Sequence, residues 1–132
     1  MKVLIADPDW YFAEHATKFL ESRAHLVVHH PSAWQAIAQA SRWKPDLAIV
    51  SAELADSGIL EALATVRPRP AVLLTEHLDR FDRAWRAWQR GGDDLLIKPV
   101  LQEDDLREAI VGAMQNAAVG TRTRRTQLAA SA

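Results

Sequence analysis

The stretch from Lys44 to Leu54, KPDLAIVSAEL, decides the fold. Leu47-Ala48-Ile49-Val50 is a short, uninterrupted apolar run entered through Pro45-Asp46. An apolar run of that length bounded by turn chemistry reads as a strand buried on both faces, and parallel sheets make strands of this kind. In an open parallel α/β sheet, chemistry sits just beyond the carboxyl ends of the strands. The residue that follows Val50 is therefore the first place to look for a reactive group. It is Ser51, followed by Ala52 and Glu53.

On the amino-terminal side, Val3 to Ala6 is a first buried strand. Phe12, Ala16, Phe19 and Leu20 then recur at helical spacing to about Ser22. Asp7 suits the N-cap of that helix and Pro8 its first position, with Asp9 adding negative charge near the positive end. His25 to His29 is a second strand. Ser32 and Gln35 form an S-x-x-Q capping box opening a helix with Trp34, Ile37, Ala38 and Ser41 on one face.

On the carboxyl side, Asp56-Ser57-Gly58 is turn chemistry. Ile59, Leu60, Leu63 and Ala64 line a short helix ended by Pro68 and Pro70. Ala71 to Leu74 is a fourth strand ending at Thr75, and Asp79 can cap a helix from Arg80 to Arg90 that stops at Gly91-Gly92. Asp94 to Ile97 is a fifth strand, followed by Lys98-Pro99. Glu103, Asp104 and Asp105 load the first turn of a last helix, whose buried face is Leu106, Ala109, Ile110 and Ala113. Five βα units with right-handed crossovers predict a parallel sheet with helices on both faces. The domain is expected over residues 1–118. Residues 119–132 read as a flexible linker or tail, in which Arg122, Arg124 and Arg125 are either solvated or in reach of phosphate.

Composition narrows the function. The 132 residues are enough for one domain with a real core, and a net charge of −1 gives no general attraction to nucleic acid or acidic membrane. Without cysteine there is no disulfide framework, thiol nucleophile or cysteine zinc site. MKVLIAD is too short an apolar run for a signal-peptide core, and nothing approaches a membrane span, so a cytoplasmic domain is expected.

Asp7, Thr75 and Lys98-Pro99 each stand just past a strand end, with Gly91-Gly92-Asp93-Asp94 leading into the last strand. That ordered set resembles the response-regulator receiver domain, a chemotaxis-receiver-like fold of strand order 2-1-3-4-5. GGDDLLIKPV is similar to the family's G-A-D-D-Y-L-x-K-P-F, and KPDLAIVS to its P-D-L-x-x-x-D. The resemblance implies a phosphoacceptor aspartate ending the third strand. It also implies an acidic pair holding Mg²⁺ after the first, and a threonine and a lysine binding phosphoryl oxygens.

Residue by residue, Asp7, Thr75 and Lys98 match. The second acid falls on Pro8 and the phosphoacceptor on Ser51. Mg²⁺ is normally held through carboxylates in near-octahedral oxygen coordination, which leaves Asp7, with Asp9 a weak substitute. A serine hydroxyl without an adjacent base is a poor nucleophile and cannot form an acyl phosphate. No metal and no cofactor are therefore expected. Lys98 is expected to pair with Asp7 or with Glu76, and Leu95 replaces the family's usual aromatic switch residue.

What remains is a surface. Placing Trp85 and Ala87 toward the sheet puts Phe81, Ala84 and Trp88 beside Leu95, on what the resemblance identifies as the contact face made by the fourth helix, fifth strand and last helix. Either this is an aromatic anchor for a protein partner or homodimer, or both tryptophans belong to the core. The leading expectation is a non-enzymatic pseudo-receiver acting as an interaction or dimerisation module. The alternatives are a pseudo-receiver binding a small molecule in the vacated pocket, and a residual phosphoacceptor using Ser51 or Asp9. Membrane contact is not expected, and nucleic acid enters only if an effector domain lies beyond residue 132.

Overall fold

A computed structural model describes residues 1–120 of the chain. Its centre is β3 (Leu47–Ser51), whose five residues are all buried, as its apolar run requires. β1 (Lys2–Ala6) lies on one side of it and β4 (Ala71–His77) on the other. β2 (Leu26–His30) and β5 (Asp94–Lys98) form the edges. All pairs are parallel, and the order is β2-β1-β3-β4-β5, as expected.

The helices are α1 (Trp10–Ser22), α2 (Ala33–Trp43), α3 (Ile59–Leu63), α4 (Phe81–Arg90) and α5 (Glu103–Val119). They complete two separate cores. On one face, Phe12, Phe19 and Leu20 of α1 and Leu106 and Ile110 of α5 pack on Val3, Ile5, Ile49 and Leu73. On the other, α2, α3 and α4 cover Leu4, Ala48, Val50, Val72 and Leu74. Alternate strand residues thus serve opposite layers, as the pleat dictates. The expected tail lies almost wholly outside the described residues: α5 runs through Val119 and ends at Gly120, whose φ of 72° suits glycine.

Several local expectations are corrected. α1 is capped by Asp9, not Asp7: the Phe12 N–H donates to Asp9 Oδ1 at 3.0 Å, while Asp7 turns into the sheet end. Asp79 caps nothing, because Leu78–Arg80 forms a 3-10 turn and Arg80 takes the cap position of α4 without a side-chain bond. β2 starts one residue later than expected, and β4 runs two residues past Thr75. On α2 the buried residues are Ala33, Ala36 and Ala40, whereas Trp34 is exposed. Small side chains let α2 approach the sheet, and an indole at that contact would hold it off.

Candidate functional site

The parallel register brings the ends of four strands together. Ser51 pairs with Thr75 across β3 and β4, and His77 pairs with Lys98 across β4 and β5. Asp7 follows Ala6, which pairs with Val50. Asp7, Ser51, Thr75 and Lys98 are all buried there, although each is polar. Buried polar groups must find partners within the protein, and these partners define the site.

Lys98 is the hub. Its Nζ donates to Asp7 Oδ2 at 2.7 Å and to Asp9 Oδ2 at 3.2 Å, and it lies 4.6 Å from the centroid of the Phe12 ring. The Thr75 hydroxyl donates to the same Asp7 oxygen at 3.0 Å, and the Asp9 N–H donates to Asp7 Oδ1 at 2.9 Å. Asp9 is half-buried. Burial raises its carboxyl pKa, but the Phe12 N–H, Lys98 and His77 together bring it below the ordinary value. Of the two partners expected for Lys98, Asp7 is realised and Glu76 is not.

Glu76 instead points to the opposite layer. Both its oxygens meet the Arg83 guanidinium, with Arg83 Nη2 donating to Oε1 at 2.9 Å and Nε donating to Oε2. The His77 N–H adds a third bond at 2.8 Å. Burial raises the Glu76 pKa, and the Arg83 and His77 bonds override it, so the carboxyl ends below its usual value. The pair ties β4 to α4 at 2% exposure of the Glu76 side chain.

These residues do not fit Mg²⁺. Every oxygen of Asp7 and Asp9 already accepts a protein hydrogen bond, and an ammonium sits between the two carboxylates. The Ser51 hydroxyl accepts from the Glu53 N–H at 3.2 Å. Pro8 supplies no ligand side chain, and Glu53 is exposed. Among the described residues, no three histidine, aspartate or glutamate side chains converge as a metal would require.

Solved structures share this architecture. The receiver domain of a LuxO repressor protein from Vibrio parahaemolyticus superposes with a TM-score of 0.69 at 21% identity, covering 91% of this chain and 94% of that one. A response-regulator receiver domain protein from Clostridium thermocellum gives 0.73 at 22% identity, over 89% and 97% of the two chains. The fold is the receiver fold. A streptococcal protein, described as one of a family of redox sensors evolved from two-component response regulators, gives 0.74 at 15% identity. There the match covers 91% of this chain and 54% of the other. No protein-family profile and no curated protein matches the sequence.

On the receiver fold, the expected contact face is only partly as read from sequence. Ala84 is fully buried beneath α4, and so is Ala87. Trp85 does not face the sheet: it is 53% exposed, and Phe81 is exposed beside it. Trp88 and Leu95 are half-buried against the α2–α3–α4 core. Together Phe81, Trp85, Trp88 and Leu95 surround a hollow of about 290 Å³ floored by Ala84, with Asp94 at its edge. Sequence periodicity missed Trp85 because two alanines supply the buried stripe of α4, leaving both tryptophans outside its centre. Among the described residues, no helix is long and apolar enough to cross a membrane.

Proposed function

We propose that this chain is a pseudo-receiver of a two-component-type signalling protein, a non-enzymatic cytoplasmic domain that acts through protein contact without aspartyl phosphate. The closed Asp7–Lys98–Asp9 cluster beside Ser51 carries the reading. In a phosphorylatable receiver the lysine and threonine meet the phosphoryl group. Here both are bonded to Asp7, and the residue ending β3 offers a hydroxyl, which accepts from the Glu53 N–H and cannot form an acyl phosphate. The streptococcal redox-sensor neighbour lends a precedent for the same fold under a different input.

Incubation with acetyl phosphate and Mg²⁺ should leave the intact mass unchanged, and Mg²⁺ alone should leave the melting temperature unchanged. Ser51→Asp should gain little labelling by itself, because Pro8 still leaves the metal short of a carboxylate. Ser51→Asp with Pro8→Asp should gain more. A phosphoryl adduct on the unaltered chain would refute the proposal and return Ser51 or Asp9 as acceptor.

The contact surface in this reading is the α4–β5 aromatic hollow, through which a second copy or another protein docks. An exposed indole beside an apolar hollow has the character of a binding hot spot. Trp85→Ala should weaken association by about 2 kcal/mol, roughly 30-fold. Its effect on stability should stay within about 0.5 kcal/mol. Trp88→Ala, which removes core packing, should instead cost about 3 kcal/mol of stability. Sedimentation equilibrium of the wild type and Trp85→Ala decides the homodimer form of the proposal. A wild type that stays monomeric at high concentration would eliminate it.

A further inference from the structure

The pocket at the strand ends is filled by Lys98, but a different cavity opens beside it. It occupies about 320 Å³ between α1 and α5, under the loop that joins β5 to α5. Phe12, Phe19 and Leu106 line its apolar side, and all three belong to the core. Tyr11 stands at its rim, 77% exposed, with its ring centroid 4.4 Å from that of His15. Cavities of this size with largely apolar walls and a few convergent polar groups are the usual form of small-molecule sites.

The charges at the rim select the ligand. Asp9 and Glu103 line the cavity as carboxylates, Lys98 is the one ammonium among its lining residues, and the imidazoles of His15 and His77 line it too. That ammonium is 4% exposed and already held by Asp7 and Asp9, so it is not available to an anion. Glu103 is exposed in the first turn of α5. With both imidazoles neutral, the lining carries two carboxylates against one ammonium, and Glu103 is the carboxylate that Lys98 does not engage. Aromatic faces next to carboxylates favour cations.

We propose that the α1–α5 groove binds a small organic cation, an aryl- or alkylammonium. Its apolar body lies along Phe12, Phe19 and Leu106, and its ammonium sits by Glu103 against Tyr11. This moves the ligand-binding site from the strand-end pocket to the neighbouring groove. It shares with that reading only the closed Lys98 cluster, which keeps the ammonium from an anion, and a domain that did accept phosphate would still carry the groove.

The test is a titration of the full chain followed by amide ¹H–¹⁵N NMR at pH 8, with three probes sharing a phenyl body: 2-phenylethylammonium, 2-phenylethanol and 3-phenylpropionate. The ammonium should give saturable shifts centred on residues 11–16 and 100–106. It should bind at least 10-fold more tightly than the carboxylate, with the alcohol between them. High salt should weaken the ammonium and leave the alcohol unchanged. Glu103→Gln should narrow the preference for ammonium over alcohol about 3-fold or more, and Tyr11→Ala should weaken the ammonium more than the alcohol. Both residues are exposed, so thermal unfolding should show intact folding. Equal or tighter binding of the carboxylate, shifts centred elsewhere, or no saturation would overturn the assignment.

Discussion

Lys98→Met is expected to cost about 3–5 kcal/mol of folding stability. Methionine keeps most of the side-chain volume, so the loss is electrostatic. It leaves the fully buried Asp7 carboxylate with only the Thr75 hydroxyl and the Asp9 N–H, and leaves Asp9 facing a like charge. Removing one partner of a buried ion pair costs far more than the pair contributes over an apolar replacement. Lys98→Met with Asp7→Asn should therefore recover much of the loss. Urea denaturation of the three proteins decides the point. If Lys98→Met alone costs less than about 1 kcal/mol, the cluster is not what holds the strand ends together.

Arg83→Met should be comparably damaging, about 3–5 kcal/mol, because Glu76 is then left buried without its guanidinium. Glu76→Gln with Arg83→Met should be milder than Arg83→Met alone. The pH dependence has a definite sign. The folded pKa of Glu76 lies below its unfolded value, so the stability from this carboxylate is present above the ordinary glutamate range. It is lost as pH falls through the lower, folded value. The difference between wild type and Arg83→Met should accordingly shrink as acid is added from neutrality, since a protonated Glu76 no longer needs the arginine. A difference that stays constant down to about pH 3, below the ordinary glutamate pKa, would place the cost of Arg83→Met in lost packing and not in charge.

These two ion pairs show what can be read from the chain. Strands buried on both sides appear as unbroken apolar runs, and the turn residues between them are unambiguous, so the parallel sheet is legible in residues 1–118, while its order follows from the resemblance to the receiver domain. Asp7, Thr75 and Lys98 were legible as strand-end residues. Their partners were harder, because a long side chain can turn to either layer. For Glu76 the signal was present and unused: consecutive strand residues point to opposite faces. With Thr75 directed at Asp7, Glu76 had to face α4. The Asp7–Asp9 assignment failed for a different reason. Both acids suit a helix cap, and only the three-dimensional path through Pro8 decides which one turns inward. On α2 and α4 the apolar pattern was misread because alanine carries the contact and the indoles lie outside it.

The two tethers of α4 have a consequence for how this domain fluctuates. Arg83 joins the helix to the end of β4, and Arg90 at the other end donates to the Ala55 carbonyl at 3.0 Å and lies 3.3 Å from Asp56. A helix held only by its apolar stripe can loosen by itself and exchange its amide hydrogens early. A helix fastened at both ends to its neighbours opens when they open. Slow, collective exchange of α4 with β4 is then expected of this domain, with the Trp85 face it carries held as a rigid surface.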